Sequence, residues 1–209
     1  MKISYAITVC NEHDEVKQLL EFLTLHKRPE DEIVVQYDQD NVTEEVLEVL
    51  NDYMDFSTIY ELSLLEYPLN KDFSSFKNNL TQHCTGDYIF QIDADEIPNK
   101  YLIDILPDIL QNNSSIEVFW VPRINTVEGL TEEHIRKWGW RVENDRVNFP
   151  DYQCRILKNA PQIQWVNKVH ERLQGHTTET RLPLDDEFCL YHPKTIKRQE
   201  KQNELYEAL

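Results

Sequence analysis

Tyr88-Ile89-Phe90-Gln91-Ile92-Asp93-Ala94-Asp95-Glu96 is the stretch on which the reading of this chain turns. A short apolar run, too compact for a helix with its own caps, ends in three carboxylates. A buried parallel strand has this texture, and in open α/β sheets ligands bind just beyond the carboxyl ends of the strands. In an extended chain Asp93 and Asp95 point the same way, about 6–7 Å apart along the backbone. Two hard oxygen ligands at that spacing suit Mg²⁺ or Mn²⁺, which keeps waters and completes its shell with substrate phosphates. Taken alone, the pair reads more readily as a solvated acidic turn. Its surroundings change the odds.

Upstream, strands and helices alternate. Ile3 to Val9 reads as an opening strand, and a helix from about Glu12 carries Val16, Leu19, Leu20 and Leu23 on one face. Glu32 to Tyr37 is a second strand, also ending in acid at Asp38 and Asp40. A helix from about Thr43 to Asn51, a strand from Thr58 to Leu62 and a helix from Phe73 to about Cys84 follow, with Gly86 turning the chain into the Asp93 strand. Such βαβ units predict a Rossmann-like, mainly parallel sheet flanked by helices. The four glycines (Gly86, Gly129, Gly139, Gly175) form neither G-x-G-x-x-G nor a P-loop, which weakens dinucleotide and ATPase readings.

The second half has another texture. A helix from about Asn99 to Gln111 precedes a strand from Ile116 to Arg123. Residues from about 124 to 150 read as a long polar and aromatic loop, of the kind that is more often functional than structural. Short strands around Gln153–Leu157, Ile163–Val166, Lys168–Arg172 and Phe188–Tyr191 suggest a small antiparallel annex, and Thr195 to Ala208 a closing charged helix. The expectation is one domain over 1–209, with a ligand-binding half at 1–112 and an acceptor-side half at 113–209.

Composition narrows the class. With 209 residues and 40% apolar content the chain can build one substantial core. A formal charge of -17 with Lys+Arg 21 argues against nucleic acid as a partner. No run approaches the roughly 20 apolar residues of a membrane span, and no secretory leader is read at the N-terminus. Cys10, Cys84, Cys154 and Cys189 are scattered without a C-x-x-C pair, which fits buried thiols in a reducing compartment. A cytoplasmic location is expected.

In order along the chain, the motifs resemble those of glycosyltransferase family 2. Thr8-Val9-Cys10-Asn11-Glu12 is similar to the family's opening strand followed by N-E, and Val34-Val35-Gln36-Tyr37-Asp38 falls where its second-strand aspartates lie. Asp72-Phe73-Ser74-Ser75-Phe76-Lys77-Asn78 resembles its G-x-x-x-A-R-N helix start, with Lys77 in place of the usual Arg. The stretch from Gly86 to Glu96 is close to its G-D-Y-I-L-F-L-D-A-D-E. Cys154 to Lys158, Ile163 to Glu171 and Leu190-Tyr191-His192 resemble later blocks of a bacterial and phage subset, including V-H-E.

The resemblance implies a GT-A fold, an inverting transfer from a UDP- or GDP-linked sugar to a sugar or glycan acceptor, and Mn²⁺ or Mg²⁺ as cofactor. It places Thr8, Asn11, Glu12, Asp38, Lys77, Asp93, Ala94 and Asp95 on the nucleotide sugar. Asp95, Asp93 and His192 are the implied metal shell, His192 being similar to a C-terminal histidine ligand of many GT-A enzymes. Inversion needs a base on the face opposite the leaving group. Glu171 is the candidate, with Asp151 and Glu143 behind it. If 168–172 is a strand, His170 and Glu171 point to opposite faces and one of them meets the site. Trp138, Trp140 and Trp165 are stacking candidates, though core packing is the commoner fate of Trp. The remaining histidines read as structural. Nothing matches the Q-x-x-R-W motif of processive synthases, so single-sugar transfer is favoured. The rivals are a catalytically inactive nucleotide-sugar or metal-binding domain and a sugar-phosphate nucleotidyltransferase; the latter needs a Gly-rich basic loop where Cys10 to Asp14 stands.

Overall fold

The structure, a computed structural model, describes residues 1–207. Strands β1 (Ile3–Val9), β2 (Glu32–Asp38), β3 (Leu62–Tyr67) and β4 (Tyr88–Asp93) alternate with helices α1 (His13–His26), α2 (Glu44–Met54), the four-residue α3 (Ser57–Tyr60) and α4 (Phe73–Gln82). β5 (Ile97–Pro98), α5 (Lys100–Asn112), β6 (Val118–Glu128), α6 (Glu132–Trp138), β7 (Val142–Glu143) and β8 (Arg146–Lys158) come next. The chain continues through β9 (Gln164–Val166), β10 (Arg172–Gln174), β11 (Glu179–Arg181), β12 (Leu190–Thr195) and α7 (Ile196–Glu207). Ala208 of the expected closing helix lies outside the described residues.

One sheet runs through both halves in the order β3-β2-β1-β4-β8-β6-β12-β5. β3, β2, β1 and β4 are parallel. β8 pairs antiparallel with β4 and β6, whereas β12 returns parallel to β6. Among the described residues, β9 and β10 form a separate antiparallel pair.

Strand alternation divides the core between two faces. Tyr5, Ile7, Ile33, Val35, Phe90 and Ile92 pack against α1, α2 and α5 through Leu19, Leu23, Leu50 and Leu106. The opposite parity of the same strands gives Ala6, Val34 and Ile89, covered by Leu80 of α4 and by Trp165 and Leu173 of the β9–β10 pair. Followed toward the carboxyl end, this second parity runs Ile89, Gln91, Asp93. Core gives way to site along a single strand face. Gly86 permits the approach to β1 that begins the strand: a Cβ there would stand 2.7 Å from the Ser4 amide nitrogen.

Several sequence expectations shift. Residues 57–60 are helical, and the third strand begins at Leu62, paired with Ile33; β3 is a half-exposed edge strand. The expected loop at 124–150 is mostly ordered, because β6 continues to Glu128 and β8 starts at Arg146. Both strands carry polar residues toward a cavity there, which erases the apolar alternation. The expected strand at Lys168–Arg172 is instead a bend, with Asn167 at φ 74° and His170 at φ 56°, so the opposite-faces rule does not govern His170 and Glu171.

Glu32 ties the start of β2 to β1 and to the turn before β4. It accepts hydrogen bonds from Lys2 Nζ at 2.7 Å, Ser4 Oγ at 2.5 Å and the Thr85 amide at 2.6 Å. Burial alone would raise its pKa, but these donors bring it down to about 2. A carboxylate depressed in the folded state stabilises above its unfolded value and loses that contribution as pH falls through the folded one. Glu32→Gln should therefore lower the urea midpoint at neutral pH and flatten its decline between about pH 4.5 and 2. Identical acid-side curves for variant and wild type would assign the acid sensitivity elsewhere.

Candidate functional site

Two cavities open at the carboxyl ends of the parallel strands and share a wall. The smaller, about 280 Å³, is lined by Thr8, Glu12, Asp38, Ala94 and the 169–171 bend. The larger, about 470 Å³, lies over β6, β8 and β12 and is lined by Arg123, Asn125, Trp140, Asp151, Gln153 and His192. Lys77, Asp93, Asp95 and Glu171 line both.

The wall rests on buried charge. Arg155, 3% exposed on β8, donates to Asp93 Oδ2 and, at 2.5 Å, to Glu96 Oε1. Arg123 donates to Glu96 at 2.8 Å and to Asp151 at 2.7 Å. Glu96 is fully buried and also accepts the Asp93 amide at 3.2 Å. Burial pushes Asp93 upward, yet Arg155, with Lys77 and Arg123 farther off, holds its carboxyl well below the usual range. Burial likewise works against the Arg155 charge, and Asp93 and Glu96 more than restore it. Thr8 Oγ1 donates to the other Asp93 oxygen at 3.3 Å. Asp93 is thus anchored from two sides.

Asp95 faces a different set. His192 Nε2 lies 3.1 Å from its Oδ2, Arg198 Nη2 3.5 Å and Lys194 Nζ 4.0 Å. Burial would raise the Asp95 pKa, but the His192 contact brings it down to about 2. Asn125 sets the histidine's orientation: its Nδ2 donates to Asp151 at 2.8 Å, which turns its Oδ1 toward His192 Nδ1, 2.6 Å away. With Nδ1–H donating to that oxygen, Nε2 presents a lone pair to the Asp95 carboxylate. Two such acceptors 3.1 Å apart need a proton or a metal cation between them. An Asp95–His192 pair suits a divalent cation that takes its other ligands from water and phosphate. Among the described residues no group of three His, Cys, Asp or Glu side chains is placed to hold a metal by itself.

The other expected residues fall as follows. Glu171 pairs with Lys77, whose ammonium lies 4.7 Å from the Trp165 ring centre. Asp151 accepts from Arg123, Asn125 and Gln153, which offset the effect of burial and keep its pKa below the ordinary value. Asp38 is buried, accepting the Leu69 amide at 3.1 Å, the Asp40 amide at 3.3 Å and Asn41 Nδ2 at 2.8 Å, so it braces two loops beneath the smaller cavity. Glu12 accepts the Cys10 and Asn11 amides and reaches Arg198 of α7 at 3.1 Å. Asn11 is exposed and lines neither cavity. The Ala94 amide donates to Thr8 O at 3.1 Å, joining the ends of β1 and β4. Glu143 is exposed on β7, outside both cavity linings. Trp165 is buried beneath Lys77, Trp138 stacks on His134, and Trp140 lines the larger cavity.

Arg123, Asn125, Arg155, Lys194 and Arg198 were not among the expected site residues. One signal was available: Arg155 lies directly before Ile156-Leu157 in a core strand, where a charge needs a partner.

A carboxylate-rich wall at the carboxyl edge of a parallel sheet defines an α/β protein with its candidate site at that edge. The sequence model of glycosyl transferase family 2 matches residues 4–169, and the chain belongs to that family. Comparison with curated proteins finds no match. Among solved structures, S. aureus TarS 1–349 in complex with UDP-GlcNAc superposes with a TM-score of 0.65 at 15% identity, over 93% of this chain and 59% of that one. The mannosyltransferase PcManGT from Pyrobaculum calidifontis, in complex with GDP-Man and Mn²⁺, gives 0.50 at 15% identity, over 69% and 49%. At these identities the likeness is one of fold, GT-A type, and this chain spans about three-fifths of TarS 1–349. No helix among the described residues is long and apolar enough to cross a membrane.

Removing Arg155 would leave Asp93 without its guanidinium and Glu96 with one cation in place of two. Arg155→Met should destabilise the fold by about 3–5 kcal/mol in denaturant titration, the usual cost of breaking a buried ion pair from one side. Arg155→Lys should recover little of it, since a point charge does not serve two carboxylates in a fixed plane. A loss below about 1 kcal/mol would show that the network contributes no more than surface pairs do.

Proposed function

We propose that the protein is a metal-dependent, inverting glycosyltransferase that moves one sugar from a UDP- or GDP-linked donor to an acceptor hydroxyl. One observation carries this reading: two cavities meet at a wall of Lys77, Asp93, Asp95 and Glu171. The smaller would take the nucleoside diphosphate and the larger the acceptor, with the anomeric carbon at the seam. Trp140 offers the acceptor sugar an apolar face. The family membership and the nucleotide-sugar complexes of the TarS and PcManGT structures support the donor class.

Asp95 and His192 would hold Mn²⁺ or Mg²⁺, which when bound supplies Lewis-acid stabilisation of charge on the departing diphosphate. Asp93, fixed by Arg155 and Thr8, orients the ribose side of the donor. Lys77 adds a positive charge beside the phosphates. The acceptor oxygen attacks the anomeric carbon as the bond to phosphate oxygen breaks, its electron pair leaving on the diphosphate. The hydroxyl proton passes to the Glu171 carboxylate. Glu171 is preferred to Asp151, whose oxygens are occupied by Arg123, Asn125 and Gln153; Asp151 instead orients Asn125 and through it His192. All four cysteines are unpaired thiols, which supports a reducing, cytoplasmic setting.

Calorimetric titration with UDP and with GDP should show binding of one of them that needs Mn²⁺ or Mg²⁺, and Asp95→Ala should abolish the metal-dependent part. Glu171→Gln should keep donor binding while transfer from the matching nucleotide sugar falls by about 10²–10⁴-fold. Equal affinity in EDTA would remove the metal from this reading, and near-normal transfer by a folded Glu171→Gln protein would remove Glu171 as the base.

A further inference from the structure

Lys77 and Glu171 stand 94 residues apart in sequence and form an ion pair in the wall that both cavities share. Lys77 is 8% exposed, and its ammonium lies over the Trp165 ring. The other cations of the wall are differently placed. Arg155 is bonded to Asp93 and Glu96, and Arg123 to Glu96 and Asp151, each guanidinium held by two carboxylates. Lys77 is held by one, at the end of a flexible four-carbon stem. Its partner follows the 167–170 bend rather than sitting in a strand, and so is not fixed by a ladder of backbone bonds.

We propose that Lys77 is a donor-operated gate on Glu171. Without donor, the ammonium occupies the carboxylate that would accept the acceptor's proton. A nucleoside diphosphate entering the smaller cavity offers the ammonium several phosphoryl oxygens in place of one carboxylate and draws Lys77 away along the Trp165 face. Glu171 is then released toward the larger cavity, so that the base becomes available only when a leaving group is in place. This rests on the proposed transfer function and adds to it a control on when the base can act.

The gate makes a prediction opposite to that of a purely structural ion pair. If diphosphate must compete with Glu171 for Lys77, removing the competitor should tighten binding. Titrated with UDP and with GDP in the presence of Mg²⁺, Glu171→Gln should bind the preferred nucleotide about two- to fivefold more tightly than wild type, the range expected of a partly exposed ion pair. Lys77→Met should bind it more weakly. The double variant should match Lys77→Met, because without the ammonium there is nothing to release. A Glu171→Gln protein that binds no more tightly, or a double variant that keeps the gain, overturns the gate while leaving the transfer function standing. Wild-type protein that binds neither nucleotide overturns both. A crystal structure of wild type with the preferred nucleotide and Mg²⁺ tests the same point without any variant. The gate requires Lys77 Nζ on a phosphoryl oxygen and off Glu171, and an intact Lys77–Glu171 pair beside a bound diphosphate overturns it.

Discussion

Arg155 is the residue on which the site's geometry depends. A guanidinium 3% exposed in a β-strand is untenable alone, since transfer of a charge out of water is costly unless partners and hydrogen bonds compensate. Asp93 and Glu96 compensate it, and both belong to the segment that leaves the last parallel strand. The ion pair therefore does more than neutralise charge. It fastens the end of β4 to β8, the first strand of opposite direction, and fixes where the acidic turn sits. Arg123 extends the same network to Asp151, and Asp151 reaches His192 through Asn125. From Arg155 outward, carboxylates and guanidiniums alternate as far as Asp151, and the Asn125 amide carries the network on to the Asp95–His192 pair.

The topology explains why this network lies where it does. Parallel strands β1, β2 and β4 deliver Thr8, Asp38 and Asp93 to one edge of the sheet. β8 enters antiparallel to β4 and β6 antiparallel to β8, so the start of β8 and the end of β6 bring Asp151, Gln153, Arg123 and Asn125 up against that edge. β12, parallel to β6, adds His192 and Lys194. One continuous sheet thereby carries two cavity surfaces that differ in the origin of their residues. The α4 helix and the 167–171 bend close the seam from the other face, joined by the Phe73 amide to Lys168 O at 2.9 Å.

The parallel half was legible because buried strands such as Ile3–Val9 and Tyr88–Ile92 are nearly continuous apolar runs, and the helices between them carry apolar faces at helical spacing. Asp93, Asp95, Lys77, Glu171 and His192, picked out by motif, line one cavity together with Asp151, the reserve candidate for the base. Beyond Arg123 the same rules failed. Strands that line a wet cavity alternate polar with apolar for reasons of chemistry rather than burial, so β6 and β8 lost their ends to an imagined loop. Asp38 shows a subtler limit: an acid at a strand's carboxyl end is visible in sequence, but whether its oxygens face a ligand or three local donors is decided by loop packing. The bend at 167–170 was hidden because Asn167 and His170 take left-handed conformations with no glycine to signal them.

Charge gives the site its final constraint. The chain carries a formal charge of -17, which opposes the approach of any diphosphate. The two cavities run against this background, with Lys77, Arg123, Arg155 and Lys194 set among Asp93, Asp95, Asp151 and Glu171. With Glu12 and Asp38 of the smaller cavity included, six carboxylates face four cations, so the pocket keeps a slight negative excess and is not itself an anion trap. Closely paired cations cannot leave their carboxylates without exposing a buried charge, and Arg155 and Arg123 are committed in this way. Besides these, Lys77 and Lys194 line the cavities, and under the proposed function a cation held between Asp95 and His192 would add to them. Under the proposed function, a divalent ion arriving with the ligand would add positive charge that the folded chain could keep in place only by burying more of it.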